Sequence, residues 1–340
     1  MKKTLIAVAA LAATSAFAQV TISGSMQVGI VDSGAAGANA AVTHLGNGMN
    51  AINMAASEDL GGGLKAGWDA QMRYNAATGD RNSAGAGQSL FHNLNVYLSS
   101  ATLGTARIGK IAEISNCAYD PWACGGGASL AAGIGLSNLV GAGAMANAVS
   151  YQTPTIAGFS AGAQKAMTPT DGTTGGRNNE RSIANVSYAN GPLTVQYLRT
   201  SGVNFTDASD AAAGATTVAD SRQTQQSIAG SYDFGVAKLI LLTSQTKNAA
   251  EVKTAEYRTI AGTVPLGGAY TLLAGYTKRP TTNGATTASN LDTKVAVGVN
   301  YALSKRTTLG ADVFKAEQAA LTGFTGNAGT GFALRMRHTF

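Results

Sequence analysis

Gly329-Thr330-Gly331-Phe332-Ala333-Leu334-Arg335-Met336-Arg337-His338-Thr339-Phe340 closes the sequence with a strict two-residue alternation. Phe332, Leu334, Met336, His338 and Phe340 fall on one face, and Gly331, Ala333, Arg335, Arg337 and Thr339 on the other. Successive side chains of a strand point to opposite faces, so this segment reads as a strand with one apolar and one charged side. A soluble sandwich would cover the apolar side with a second sheet. A barrel in lipid turns it outward and leaves both arginines in a watery lumen.

The same period returns upstream. Val20, Ile22, Met26, Val28 and Ile30 oppose Thr21, Ser23, Ser25 and Gln27. Leu64, Ala66, Trp68, Ala70, Met72 and Tyr74 oppose Lys65, Asp69, Gln71 and Arg73. Tyr270, Leu272, Ala274 and Tyr276 oppose Thr271, Gly275 and Thr277, and Val295, Val297, Val299 and Tyr301 oppose Lys294, Gly298 and Asn300. No helical period intervenes. Connections alternate between two kinds. Short turns fall at 60–63, 99–101, 153–154, 190–192, 233–235, 265–268 and 304–305. Long polar or Gly-rich loops lie near 33–50, 75–88, 112–146, 168–180, 201–222, 247–255, 280–291 and 316–328. Such an arrangement predicts an all-β transmembrane antiparallel barrel of about sixteen strands, with turns on one side and loops on the other. Aromatics at strand ends, Tyr74, Tyr151, Phe159, Tyr188, Tyr232, Tyr257, Tyr301 and Phe340, are expected level with the lipid headgroups.

The beginning of the sequence names a compartment. Lys2 and Lys3, an apolar run from Leu5 to Ala13 and the small-x-small pattern Ala16-Phe17-Ala18 read as a signal peptide over 1–18, removed before a barrel domain of 19–340. The apolar run is too short for a membrane anchor. Charged residues make up 12% of the chain, and the bases are scattered singly, which argues against a nucleic-acid surface. No charge occurs between Asp120 and Lys165, but the glycines of that stretch oppose a membrane helix, each costing about 1 kcal/mol relative to alanine. A long loop packed inside the barrel is the better reading.

Several hairpins resemble a known family, the general trimeric porins of Gram-negative outer membranes in their beta-proteobacterial branch. Ser57-Glu58-Asp59-Leu60-Gly61-Gly62-Gly63-Leu64-Lys65-Ala66 resembles that branch's second hairpin; 232–239 and 300–307 resemble two later ones. Leu103-Gly104-Thr105 through Ile108-Gly109-Lys110 resembles the strand entering the third loop, and the final Phe340 resembles the family's assembly signal. The resemblance implies a multi-pass outer-membrane homotrimer, inserted by periplasmic and outer-membrane assembly machinery among outer-membrane lipids. Small ions and hydrophilic solutes would diffuse through it, with no cofactor, no metal and no nucleic acid involved. It also implies that the third loop folds into the lumen and narrows it. Lys110 then takes a basic position at that loop's entrance, with Glu113 and Asp120 as its acids. Arg73 and Arg107 are wall candidates from the period alone, and Arg335 and Arg337 share the lumen parity. Where the family has further wall bases, this chain has Ala51, Ala55, Ala144 and Ser150, so the expected ion preference is weak or moderately anionic.

Cys117 and Cys124 are the only cysteines, both in the third loop. An oxidising compartment favours a disulfide between such an isolated pair, while a metal site lacks further ligands nearby. His44, His92 and His338 accompany no Ser or Cys in a nucleophile setting, so the chain is read as no enzyme. An outer-membrane lipase or protease barrel and a secreted β-sandwich adhesin are the alternatives.

Overall fold

The computed structural model describes residues 20–32, 34, 39–45, 50–80, 90–123, 143–167, 181–203, 222–279, 292–317 and 329–340. The signal peptide expected over 1–18 lies outside them. Among the described residues seventeen strands follow in order: β1 Thr21–Asp32, β2 Ala41–His44, β3 Ala51–Gly61, β4 Leu64–Arg73, β5 Phe91–Ser100, β6 Gly104–Ala112, β7 Ala144–Gln152, β8 Phe159–Ala166, β9 Arg181–Asn190, β10 Leu193–Val203, β11 Arg222–Asp233, β12 Lys238–Asn248, β13 Lys253–Gly267, β14 Tyr270–Arg279, β15 Asp292–Ala302, β16 Thr307–Glu317 and β17 Gly329–Thr339.

From β3 onward each strand pairs antiparallel with its chain neighbour. The last returns to the first, with Ser25 opposite Thr339 and Asp32 opposite Phe332. Closure is what lipid demands, because an unpaired strand edge has no water to satisfy it. The other edge of β1 is shared: β3 takes residues 21–25 and β2 takes 28–31. Sixteen strands therefore form the wall, and β2 is a piece of the first loop that continues it upward. At the seam, Gly24 and Phe340 exchange both backbone hydrogen bonds at 3.0 Å, and the phenyl ring lies over Gly24, where a Cβ would stand 2.5 Å from it.

The short turns fall where alternation placed them, with two shifts: β5 runs through Ser100, so the turn expected at 99–101 lies at 101–103, and a second shift is in β13. Gly61, Gly62 and Gly63 take φ of +81°, +60° and +78°, open to glycine at little cost. β13 runs through Pro265 with a register shift before Gly267, so its turn is at 268–269. The long loop expected at 247–255 is instead a tight connection between β12 and β13. Asn248 Oδ1 accepts from the N–H groups of Ala250 and Val252, each at 3.0 Å, folding the chain back at once.

Side-chain alternation sorts as expected. In β17, Phe332, Leu334 and Met336 are exposed on the outside, while Gly331 and Ala333 are buried inside. The inner wall is not uniformly polar, however. Ile111, Met145, Ile183, Leu198, Leu242 and Tyr257 form one buried apolar cluster, and Val31, Ile240, Leu273, Ala296 and Phe314 belong to a second. Tyr257, expected at the lipid interface, belongs to the inner row. Tyr74 also leaves the interface role, its hydroxyl donating to the Ser25 carbonyl at 3.0 Å.

Candidate functional site, the narrowed lumen

The apolar inner clusters exist because a chain segment covers them. β6 ends at Ala112, and residues 113–123 leave the wall and run along the inside of the barrel. Ile114 and Tyr119 pack on the first cluster, while Trp122 is buried in the second. Burying side chains of this size stabilises the arrangement by about 1.5–3 kcal/mol each.

Polar contacts then fix the path. The Ile114 N–H donates to Gln164 Oε1, and Gln164 Nε2 donates back to the Ala112 carbonyl, both at 2.9 Å. Asn116 Nδ2 donates to Ser227 Oγ on β11 at 3.2 Å. A 3-10 turn follows at Cys117–Tyr119. Asp120 Oδ1 accepts from the Trp122 N–H at 3.1 Å, and the Trp122 indole donates to Asp312 Oδ1 on β16 at 2.9 Å. From β8 to β16 the segment thus lines about half of the circumference.

Both acids of this segment are absorbed in holding it. Glu113 is buried and forms an ion pair with Arg181 of β9, itself buried. Asp120 is buried and acts electrostatically on Lys294 of β15, whose ammonium sits 5.4 Å from the Phe314 ring centre. Asp312 serves twice. Besides Trp122 it accepts from Arg335 Nε at 2.6 Å and from an Arg335 terminal nitrogen at 3.0 Å, while Asn300 Oδ1 accepts from Arg335 at 2.7 Å. This clamp fits because its strand neighbours lack side chains. A Cβ on Gly298 would meet Asp312 Oδ1 at 2.0 Å, and one on Gly310 would meet Arg335 Cζ at 2.5 Å.

A second set of charges lines the wall of β3–β6. Arg107 pairs with Asp69, donates to Asn95 Oδ1 at 3.1 Å, and lies 4.9 Å from the Tyr97 ring centre. Arg73 Nε donates to Gln71 Oε1 at 2.8 Å, and Gln71 donates to Asn53 at the same distance. A polar recess of about 390 Å³ opens beside Asp69, Asn95, Thr105 and Arg107.

Arg73, Arg107, Arg335 and Arg337 therefore lie on inner rows, as their parity predicted. Lys110 departs from expectation: it stands opposite Leu94 and shares the outward parity of Ile108. Glu113 and Asp120 are anchors under the segment rather than acids facing wall arginines across a gap. Sequence reasoning missed Arg181 and Lys294 as their counterparts, and Asp312 as the group that holds Arg335 and the Trp122 indole. Lumen parity was a signal for Lys294, but nothing local marked it as the group beneath Asp120. Cys117 is disulfide-bonded, and Cys124 lies outside the described residues. Among the described residues no group of three or more His, Cys, Asp or Glu is placed to hold a metal ion. Fixed charges around a water-wide passage act on passing ions through their field, without a bond being made.

The sequence model of the Gram-negative porin family matches residues 4–319. An outer membrane porin of Bordetella pertussis is 30% identical over 279 residues, covering 72% of this chain and 70% of the relative. Outer membrane porin protein 32 of Delftia acidovorans is 28% identical over the full length of both chains. Among solved structures, the anion-selective porin from Comamonas acidovorans superposes with a TM-score of 0.72 at 24% identity, covering 95% of this chain and all of the other.

Proposed function

The chain belongs to the Gram-negative porin family, and on that premise we propose that its lumen passes small solutes with a weak to moderate preference for anions. The protein is a channel of the Gram-negative outer membrane and not an enzyme. What carries the proposed preference is the charge count once the loop acids are bound to the wall. Glu113 and Asp120 face Arg181 and Lys294, and Lys65 stands opposite Asp59 and Lys238 opposite Asp233 on the turn-side inner rows. Of the other inner-wall charges named above four arginines, Arg73, Arg107, Arg335 and Arg337, stand against two acids, Asp69 and Asp312. A net excess of two positive charges biases the field without creating a binding site. Anion selectivity is also what the Comamonas acidovorans porin is named for.

Lys110 joins this reading only as a basic group at the loop's entrance. Three copies would assemble, as the family resemblance implies. The outward groove of about 510 Å³ floored by Ala56, Ala66 and Ala106 supports it, being an apolar, small-residue face on which another barrel can pack closely. Cys117 pairs with Cys124, closing a short loop within the narrowing segment. Phe340 acts as the assembly signal read by the insertion machinery, since its ring and backbone complete the seam. The reversal potential of single channels under a salt gradient tests the selectivity: a value on the anion side agrees, and strong cation selectivity at neutral pH overturns it.

A further inference from the structure

The outside of the barrel differs at its two rims. On the outward rows at the turn side, Phe159 and Tyr188 have ring centres 4.5 Å apart, and Tyr270 and Tyr301 4.6 Å. Such rings suit a membrane interface. The loop-side rows carry bases: Lys110, Lys165, Arg199, Lys247, Arg258, Lys278 and Lys315. Lys247 and Arg258 are matched by Glu251 and Glu256. Among the described residues no ion pair reaches the four bases Lys165, Arg199, Lys278 and Lys315.

Two of those four share one recess. Lys165 of β8 stands opposite Ser182 of β9, and Arg199 of β10 stands opposite Ala184 of β9. Both bases are exposed. Because β9 offers only small side chains between them, a recess of about 530 Å³ opens there, with Val149 and Ala163 also lining it. Two strands and two residues of separation put the Cα atoms roughly 12 Å apart, a span from which both side chains can converge on one group. Arg199 lies four residues inside the loop-side end of β10, roughly 10 Å below it for a tilted strand. A cation at that depth on a lipid-facing wall extends toward the headgroups and is stabilised there by an anion.

We propose that Lys165 and Arg199 bind the phosphate of an anionic lipid headgroup in the loop-side leaflet. Arg199 supplies a planar two-pronged donor, Lys165 a point charge, and the apolar floor at Val149 and Ala163 takes the upper part of an acyl chain. Charge complementarity selects this occupant: on the outward loop-side rows bases outnumber the acids Asp32 and Glu256, whereas Glu58 is the charge on the outward turn-side rows.

The test uses the full chain in phosphatidylcholine nanodiscs doped with phosphatidylglycerol, reading phosphatidylglycerol retained per chain by native mass spectrometry after transfer to detergent. Lys165→Gln and Arg199→Gln should each lower retention about fivefold, as expected for one base at a charged membrane surface, and the double variant should lower it further. Lys278→Gln, on the same rim but outside the recess, should leave that retained lipid in place. Unchanged conductance and heat-dependent gel mobility would show that the variants fold. Equal retention in the double variant would overturn the proposal. So would displacement of the lipid by equimolar inorganic phosphate, which would mark a soluble-anion site, or cross-linking of Lys165→Cys between two chains, which would mark a contact between copies.

Discussion

Replacing Asp69 by asparagine removes the acid facing Arg107 while keeping the side chain's size. The two side chains are 30% and 34% exposed, so their pairing adds only about 0–1 kcal/mol to folding and the barrel should form normally. The consequence lies in the lumen. For an ion passing about 6 Å from the carboxylate in water, the interaction is about 0.7 kcal/mol. In ~0.1 M salt, with a Debye length of about 10 Å, roughly 0.4 kcal/mol of it survives. Loss of the acid removes an attraction for cations and an equal repulsion for anions, so the anion-to-cation permeability ratio should rise by about 0.8 kcal/mol, or about fourfold. Reversal potentials of parent and variant channels under one salt gradient measure this. The difference should collapse near ~1 M salt, where the Debye length is about 3 Å. An unchanged reversal potential at low salt, or a shift toward cations, would refute the placement of this pair beside the ion path.

Arg181→Gln leaves Glu113 buried without its counter-charge at a cost of about 3–5 kcal/mol, and Arg181→Gln combined with Glu113→Gln recovers part of it. Open-channel current noise should rise in the single variant and fall back in the double; a quiet single variant would refute the anchoring role. If Cys117 and Cys124 are joined, the unfolded but unreduced protein takes up no maleimide, and labelling of both thiols would contradict the bridge. Deleting Phe340 removes two seam hydrogen bonds and the ring over Gly24, so folded trimer in the outer membrane should decrease while surviving channels keep their conductance. Equal yield with altered conductance would show that the residue shapes the pore instead.

Period two was enough to read the wall, because lipid outside and water inside impose opposite chemistry on alternate residues. Arg335 and Arg337 could be placed by parity alone, as could Asp69 on the row of Arg73. Lys110 was assigned from resemblance, and counting by twos from Ile108 would have set it outward. The inward Ile183, Leu198, Leu273 and Phe314 look misplaced in a polar lumen until Ile114, Tyr119 and Trp122 are laid over them. That cover brings together residues more than a hundred positions apart, such as Asn116 with Ser227 and Trp122 with Asp312. No local pattern carries such pairings. The partners Arg181 and Lys294 were hidden for the same reason, since a buried ion pair is defined by where a loop lands rather than by its own sequence. The tight 249–252 connection was legible in principle, in an Asn248 able to bond its own following backbone.

Single-channel recording of the unmodified protein in a planar bilayer shows whether ions cross through a water-filled lumen narrowed by residues 113–123. Such a lumen gives discrete, ohmic conductance steps whose size rises in proportion to bulk salt conductivity and falls when large neutral solutes enter it. Absence of steps, or a conductance that saturates at low salt as it would at a tight binding site, would contradict it.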